Sequence, residues 1–369
     1  MTRTADQFGA GIEACGCLTP FGAAAATHQA LLEGRRALEL RPVLGADGGD
    51  LVPLALLGPM EETLPPRGLP ALRTLAAGIP PGKWGTAREP VIVTSSNFGV
   101  GSLYAYIRGH DARHLAHGAP YASVELLQRE FGWGDQVHIF SHACVSAHLG
   151  LAHAARLLQA GCAERVLVFS FDFVSAFVAG GFHSLKILNQ GTPAPYAVRP
   201  TGSIGLGDGA AFAVLARDAG PFRIETQALH NEMHHFTNNQ ADGSGFAVGA
   251  DAMAAAARGR KVWVKGHGTG TLEAGRLEAE AFARALPGAP LVSWKGSLGH
   301  TLGSCGLVEL ALVVAALQAQ RAPGTVGGGA PSFTDTVALE SFSLADYDGV
   351  VVASNAFGGA HAALLLSHE

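Results

Sequence analysis

Four short runs along this chain are apolar almost without interruption. They are Pro90 to Ser96 (PVIVTSS), Arg165 to Phe171 (RVLVFSF), Val262 to Lys265 and Gly349 to Ser354 (GVVVAS). A strand with one wet face alternates polar and apolar residues, whereas a strand covered on both faces has no need to. The runs therefore predict buried strands with helices on either side. Helical spacing lies between them. Val145 to Gln159 puts Leu151, Ala154, Ala155 and Leu158 on one face, and Gly161 is a stop signal. Gly306 to Gln320 predicts a second, more deeply buried helix. This alternation predicts an α/β fold with a largely parallel core sheet. With 48% apolar and 15% charged residues over 369 positions, the chain can bury a large core, which excludes general disorder.

A weak internal repeat is visible. Ser141 to Gly161 reads as small residues, a Cys and an Ala/Leu-rich helix, and Gly299 to Gln320 has the same order. Two similar halves, 1–219 and 220–369, are the expected organisation. Residues 41–85 are dense in Pro and Gly and predict a loop-rich stretch. The formal net charge of -5 offers no basic surplus for a phosphate backbone, so nucleic acid is not an expected partner. No run of 18 uncharged apolar residues exists, which argues against a membrane span. Met1 to Asp6 lacks an apolar signal segment. The five cysteines, at 15, 17, 144, 162 and 305, form no CxxC pair and read as reduced thiols of a cytoplasmic protein.

Several short motifs could carry chemistry. Gly9 to Ala14 fits G-x-G-x-x-A, but Gly16 and Pro20 follow too closely for a helix to receive a pyrophosphate, so a strand and turn is expected. His230, His234 and His235 have ligand-like spacing without an HExxH pattern and predict a histidine-rich loop beside a cleft rather than a metal site. Cys144 lies just before the 145–159 helix, where free amides and the helix dipole favour thiolate. His267 sits among glycines after a predicted strand, and His300 precedes a long apolar helix. Lys295 and Glu309 are charged residues in apolar surroundings and should pair if buried. One Cys and two His, each in a strand-to-helix turn, point to covalent thiol catalysis with imidazole partners.

In order, these motifs closely resemble the β-ketoacyl synthases of the acyl-carrier-protein type, within the thiolase superfamily. Gly11 to Gly34 resembles the family's opening strand and first helix. His142-Ala143-Cys144 with Ser146 resembles its nucleophile turn, and Gly181-Phe182 with Leu185 and Leu188 the segment that follows. Gly205 to Ala210 stands at its G-E-G-A motif. His267-Gly268-Thr269-Gly270-Thr271 matches H-G-T-G-T. Lys295 to Gly306 matches K-x-x-x-G-H-x-x-G-x-x-G, with Glu309 in register, and Asn355 to Gly359 resembles the closing F-G-F-G-G. The resemblance implies a five-layer αβαβα thiolase-like fold and a catalytic triad of Cys144, His267 and His300. It implies an oxyanion hole from the Cys144 and Phe357 amides, supporting roles for Lys295 and Glu309, pantetheine contacts from Thr269 and Thr271, and an acyl-tunnel gate at Phe357.

The implied activity is decarboxylative Claisen condensation of an acyl thioester with a malonyl thioester, through an acyl-Cys intermediate, in fatty acid, polyketide or polyene biosynthesis. No metal or intrinsic cofactor is implied, because phosphopantetheine arrives on an acyl carrier protein. The alternatives are a non-elongating, chain-length-factor-like partner, or an acyltransferase or decarboxylase of a heterodimer. Family members dimerise, so a homodimer or a heterodimer with a related subunit is expected, with Val166 to Phe173 as the shared edge. Arg67, Arg73 and Lys83 are candidates for carrier docking. The chain departs from the family at His142 for Thr, Val145 for Ser, Gly275 for Asp, and in Pro195 to Arg199.

Overall fold

The computed structural model describes residues 6–45, 48–60, 63–326 and 331–368. One sheet runs through ten strands. The first five in sequence are β1 (Asp6–Thr19), β2 (Val91–Thr94), β3 (Val137–Phe140), β4 (Arg165–Asp172) and β5 (Gly209–Ala216). The second five are β6 (Phe222–Asn231), β7 (Val262–Lys265), β8 (Leu291–Val292), β9 (Gly349–Ala356) and β10 (Ala360–His368). Their spatial order is β8-β7-β9-β10-β6-β1-β5-β4-β2-β3. Read outward from the β1–β6 seam, each side has the same pattern: β1-β5-β4-β2-β3 against β6-β10-β9-β7-β8.

The sheet is mixed rather than largely parallel. Antiparallel pairing joins β4 to β5, β5 to β1, β1 to β6, β6 to β10 and β10 to β9. Only the flanks, β4-β2-β3 and β9-β7-β8, are parallel. The continuous apolar runs remain a sound guide to burial, because an antiparallel strand covered by helices on both faces has the same composition as a parallel one.

Helices complete five layers. The central layer holds α4 (Ser146–Gln159) and α7 (Cys305–Gln318); α1 (Ala24–Leu32) contributes Leu31 to the same core cluster. Leu151, Ala155, Leu310 and Val313 pack there against Ile92 and Val168 on one side and Val350 and Val352 on the other. Next to it on β2, Val91 and Val93 point the opposite way, under α2 (Leu64–Ala76) and α3 (Pro120–Phe131). The other outer face is covered by α5 (Ser244–Ala257) and α6 (Leu272–Ala285), which bury Val262, Val264 and Val351. This is the αβαβα order expected from the resemblance.

Three expectations need correction. Residues 41–85 are not simply loop, because they contain α2 and the strand Leu51–Ala55. Pro65 and Pro66 read as breakers in sequence but occupy the first helical turn, where a missing N–H costs nothing. Val166 to Phe173 cannot be a shared edge, since β4 is paired on both sides, to β2 and to β5. The strand left with one neighbour on that flank is β3. Arg67 is not a surface cation. It is 5% exposed and paired with Asp208. Arg73 and Lys83 are exposed as expected. The G-x-G-x-x-A stretch lies inside β1, as a strand. Among the described residues, no helix is long and apolar enough to cross a membrane.

Candidate active site

Cys144 occupies the turn between β3 and α4. Ala143 before it takes φ 44°, in the left-handed region that costs a residue with a Cβ. Ser146 holds this turn together. Its hydroxyl accepts the His142 N–H at 2.8 Å and donates to the Ala143 carbonyl at 2.7 Å. The strain and the brace together project the sulfur from the start of a buried helix.

The two imidazoles come from the other side of the seam. His267 follows β7 in a glycine turn, where a Cβ on Gly268 (φ 28°) would lie 2.6 Å from Tyr196 Cζ. His300 follows the single helical turn Lys295–Leu298. Its N–H donates to the Gly205 carbonyl at 2.7 Å, and its carbonyl accepts the Gly207 N–H at 3.0 Å. The 205–207 segment of one side therefore positions a histidine of the other.

His300 Nε2 lies 2.9 Å from Cys144 Sγ. The His267 and His300 rings meet edge to face, centroids 4.9 Å apart. One ligating atom from each of Cys144, His267 and His300 lies within 4.8 Å of the others, and all three residues are buried. They open into one cavity of about 380 Å³, also lined by Phe182, Phe357 and Thr269. Thr271 borders it too, its hydroxyl 3.3 Å from that of Thr269. Phe357 stacks on Phe182 at 5.7 Å.

Burial dominates the electrostatics. It pushes the Cys144 thiol up, although Lys295 and a backbone N–H pull the other way. The sequence expectation of a resting thiolate at a helix start is therefore reversed by desolvation. Burial, with Lys295 close by, holds both imidazoles well below the ordinary histidine range. Near neutral pH the geometry is thus a thiol against a neutral imidazole. Neither Nδ1 has a hydrogen-bond partner among the described residues.

Behind this cluster lies a charged wall. Lys295 Nζ is 2.5 Å from Glu309 Oε1, the pair expected from sequence. Lys265 Nζ is 2.9 Å from the same oxygen and was not anticipated as part of the site. Positive charge there disfavours a cation among the Cys and His atoms. Glu278, which keeps its place in the family pattern after H-G-T-G-T but carried no expected role, accepts the N–H groups of His267 (2.7 Å) and Gly268 (2.9 Å), the Tyr196 hydroxyl (2.9 Å) and the Asn355 amide (2.9 Å). It fixes the His267 turn to the strand that leads to Phe357. The Asn355 oxygen meets His361 Nδ1 at 2.8 Å, and His361 Nε2 meets Glu232 at 2.7 Å. Of the expected histidine-rich loop, His230 instead lies in β6, paired with His361, while His234 and His235 are exposed on the following loop, whose Thr237 and Asn238 line the cavity.

Residues 223–328 match the family described as "Beta-ketoacyl synthase, C-terminal domain". The granaticin polyketide putative β-ketoacyl synthase 1 of Streptomyces violaceoruber is 27% identical over 283 residues, covering 68% of this chain and 67% of the relative. The chain is similar to β-ketoacyl synthases over residues 223–328 and, at lower identity, over about two thirds of its length. It spans 61–67% of the length of the first curated relatives it matches. A solved ketosynthase in complex with its chain length factor from Xenorhabdus doucetiae superimposes with a TM-score of 0.79 at 20% identity, covering 98% of both chains. A type II polyketide ketosynthase complex with its acyl carrier protein and a bound hexaketide gives 0.82 at 16% identity, covering 99% of this chain and all of the other. These likenesses establish the thiolase-like fold.

Proposed function

We propose that this chain catalyses decarboxylative Claisen condensation of an acyl thioester with a malonyl thioester carried on acyl carrier protein. The observation that carries the reading is the 2.9 Å contact between Cys144 Sγ and His300 Nε2 in a cavity shared with His267. In the first stage Sγ attacks the acyl carbonyl. His300 Nε2 takes the thiol proton and returns it to the departing pantetheine sulfur, leaving acyl-Cys144. The Cys144 and Phe357 amides would receive the developing oxyanion. In the second stage the malonyl group loses CO2, and imidazole N–H groups of His267 and His300 hold the enolate oxygen. The enolate carbon attacks the acyl carbonyl, the Cys144–acyl bond breaks, and the sulfur is reprotonated with one proton taken up. Thr269 and Thr271 bind the pantetheine arm, and Phe357 gates the acyl branch. Lys295 and Glu309 act through the charge they set behind the cluster. The pantetheine on the carrier protein supplies the thioester, and no cofactor of the chain's own enters the scheme.

The halves, 1–219 and 220–369, supply the sulfur and the imidazoles respectively in this reading. A non-elongating partner has no use for a sulfur held against an imidazole, which favours the condensing role. The β3 edge is our candidate for pairing with a second subunit, itself or a related one, because it has a free side and exposes Ile139 at 41%. Arg73 and Lys83 remain candidates for carrier docking. Five unpaired thiols suit the cytoplasm. The test is intact-mass measurement of protein incubated with acyl carrier proteins bearing acyl groups, followed by malonyl carrier protein. An acyl adduct that is absent in Cys144→Ala, and a product longer by two carbons, are expected. Wild-type protein that never acquires an acyl group would overturn the proposal.

A further inference from the structure

Lys265 ends β7 two residues before His267 and is wholly buried. Its Nζ donates to the Gly266 carbonyl at 2.6 Å and lies 2.9 Å from Glu309 Oε1, above the Trp294 ring at 5.5 Å. Glu309 Oε1 already meets Lys295 at 2.5 Å, while Glu309 Oε2 has no hydrogen-bond partner among the described residues. One carboxylate oxygen thus faces two ammonium groups. A single carboxylate would satisfy Lys295 alone, so the second buried lysine has no structural need of this place, and burying it is costly.

The other charged or titratable groups around the site are accounted for. Glu278 on α6 is engaged by four donors, and its charge is felt at Lys295. Cys305 opens α7 and donates to the Cys144 carbonyl at 3.3 Å. His148 on α4 bonds to the Val352 carbonyl at 3.3 Å. Asp172 on β4 accepts from Ser95, Ser96 and Asn97 and disfavours negative charge on Cys144.

We propose that Lys265 is a positioning residue for the Cys144 thiol: its ammonium, added to that of Lys295, supplies the surplus positive charge that favours the thiolate as Cys144 gives up its proton. The proposal rests on the reading of Cys144 as the nucleophile. Lys265 acts through the field and touches no substrate. Burial brings its own proton affinity down to about 8. The charge is therefore present below that pH and lost above it.

The experiment is the rate of Cys144 alkylation by iodoacetamide between pH 6 and 9.5, read by peptide mass spectrometry on the whole folded chain. Exposed Cys162 serves as the internal control. In Lys265→Met and Lys265→Gln, Cys144 should react about tenfold more slowly near pH 7, a displacement of about one pH unit, with Cys162 unchanged. The gap from wild type should close as pH rises through about 8. Lys265→Arg, which keeps the charge, should stay within about threefold of wild type. An unchanged Cys144 rate in a folded neutral variant overturns the proposal, as does a tenfold loss in Lys265→Arg equal to that of the neutral variants. The assay uses no acyl substrate. If wild type forms no acyl adduct yet the displacement is found, the condensation reading fails and the charge role stands.

Discussion

Replacing His300 and His267 with alanine in turn separates the two stages of the proposed reaction, and His300 is the one that acts in the first. The side chain removed is the one hydrogen bonded to Cys144 Sγ, at 2.9 Å, among the described residues. The thiol is buried and pushed up, so few molecules carry a thiolate near neutrality. Attack then depends on an acceptor for the proton. A positioned general base contributes about 10²- to 10⁴-fold, or roughly 3–5 kcal/mol of barrier. Single-turnover acylation of His300→Ala, followed by intact mass, should therefore slow by about 10²- to 10⁴-fold. His267→Ala should behave differently. Its ring contacts the His300 ring rather than the sulfur in the described hydrogen bonds, so acylation should persist while CO2 release from malonyl carrier protein falls. Acylation of a folded His300→Ala variant within threefold of wild type would show that the 2.9 Å contact takes no part in thiol activation. Equal losses of both stages in both variants would show that the imidazoles do not divide the work.

Three further outcomes follow from the packing. Arg67→Met leaves the Asp208 carboxylate, itself unexposed, without its cation, so urea unfolding should show a loss of about 3–5 kcal/mol. A carrier-docking defect with unchanged stability would restore Arg67 as a surface group. Gly306→Ala would place a Cβ 2.4 Å from His148 Nδ1 between α4 and α7, costing about 1–3 kcal/mol by thermal or urea unfolding. Burial raises the thiols of Cys15, to about 12, and of Cys305, to about 11, against 9.0 when unfolded. Below pH 9 this protection is complete. Above it the unfolded chain releases protons that the folded chain keeps, so stability falls with rising pH. Cys15→Ala should flatten that fall between pH 9 and 11 in urea midpoints, and an unaltered slope would count against it.

The candidate site residues Cys144, His267 and His300 were legible in sequence because each lies in a turn of glycines and small residues beside an apolar run. Strand positions were legible for the same reason, as β7 begins and ends where the apolar run did. Pairing direction was not, since β4 and β2 have similar compositions although β4 pairs antiparallel with β5 and parallel with β2. Lys265 escaped notice because a lysine closing a strand ordinarily reaches water. Arg67 read as a docking cation because its partner, Asp208, lies 141 residues away. The helix-start argument for Cys144 was correct about the amides and wrong about the net effect, because local sequence carries no measure of desolvation.

The seam between β1 and β6 divides the chemistry as well as the sheet. The strands β6, β7 and β8 of the matched span lie on one side of it, and that span also supplies both imidazoles and the Lys295–Glu309 pair, whereas the sulfur follows β3 on the other side. On the proposed reading, one codon at position 144 would therefore silence condensation while leaving an intact imidazole-bearing lobe. A descendant of such a chain would still fold and could still accompany an active copy, so obligate mates without activity are an easy evolutionary step from this architecture.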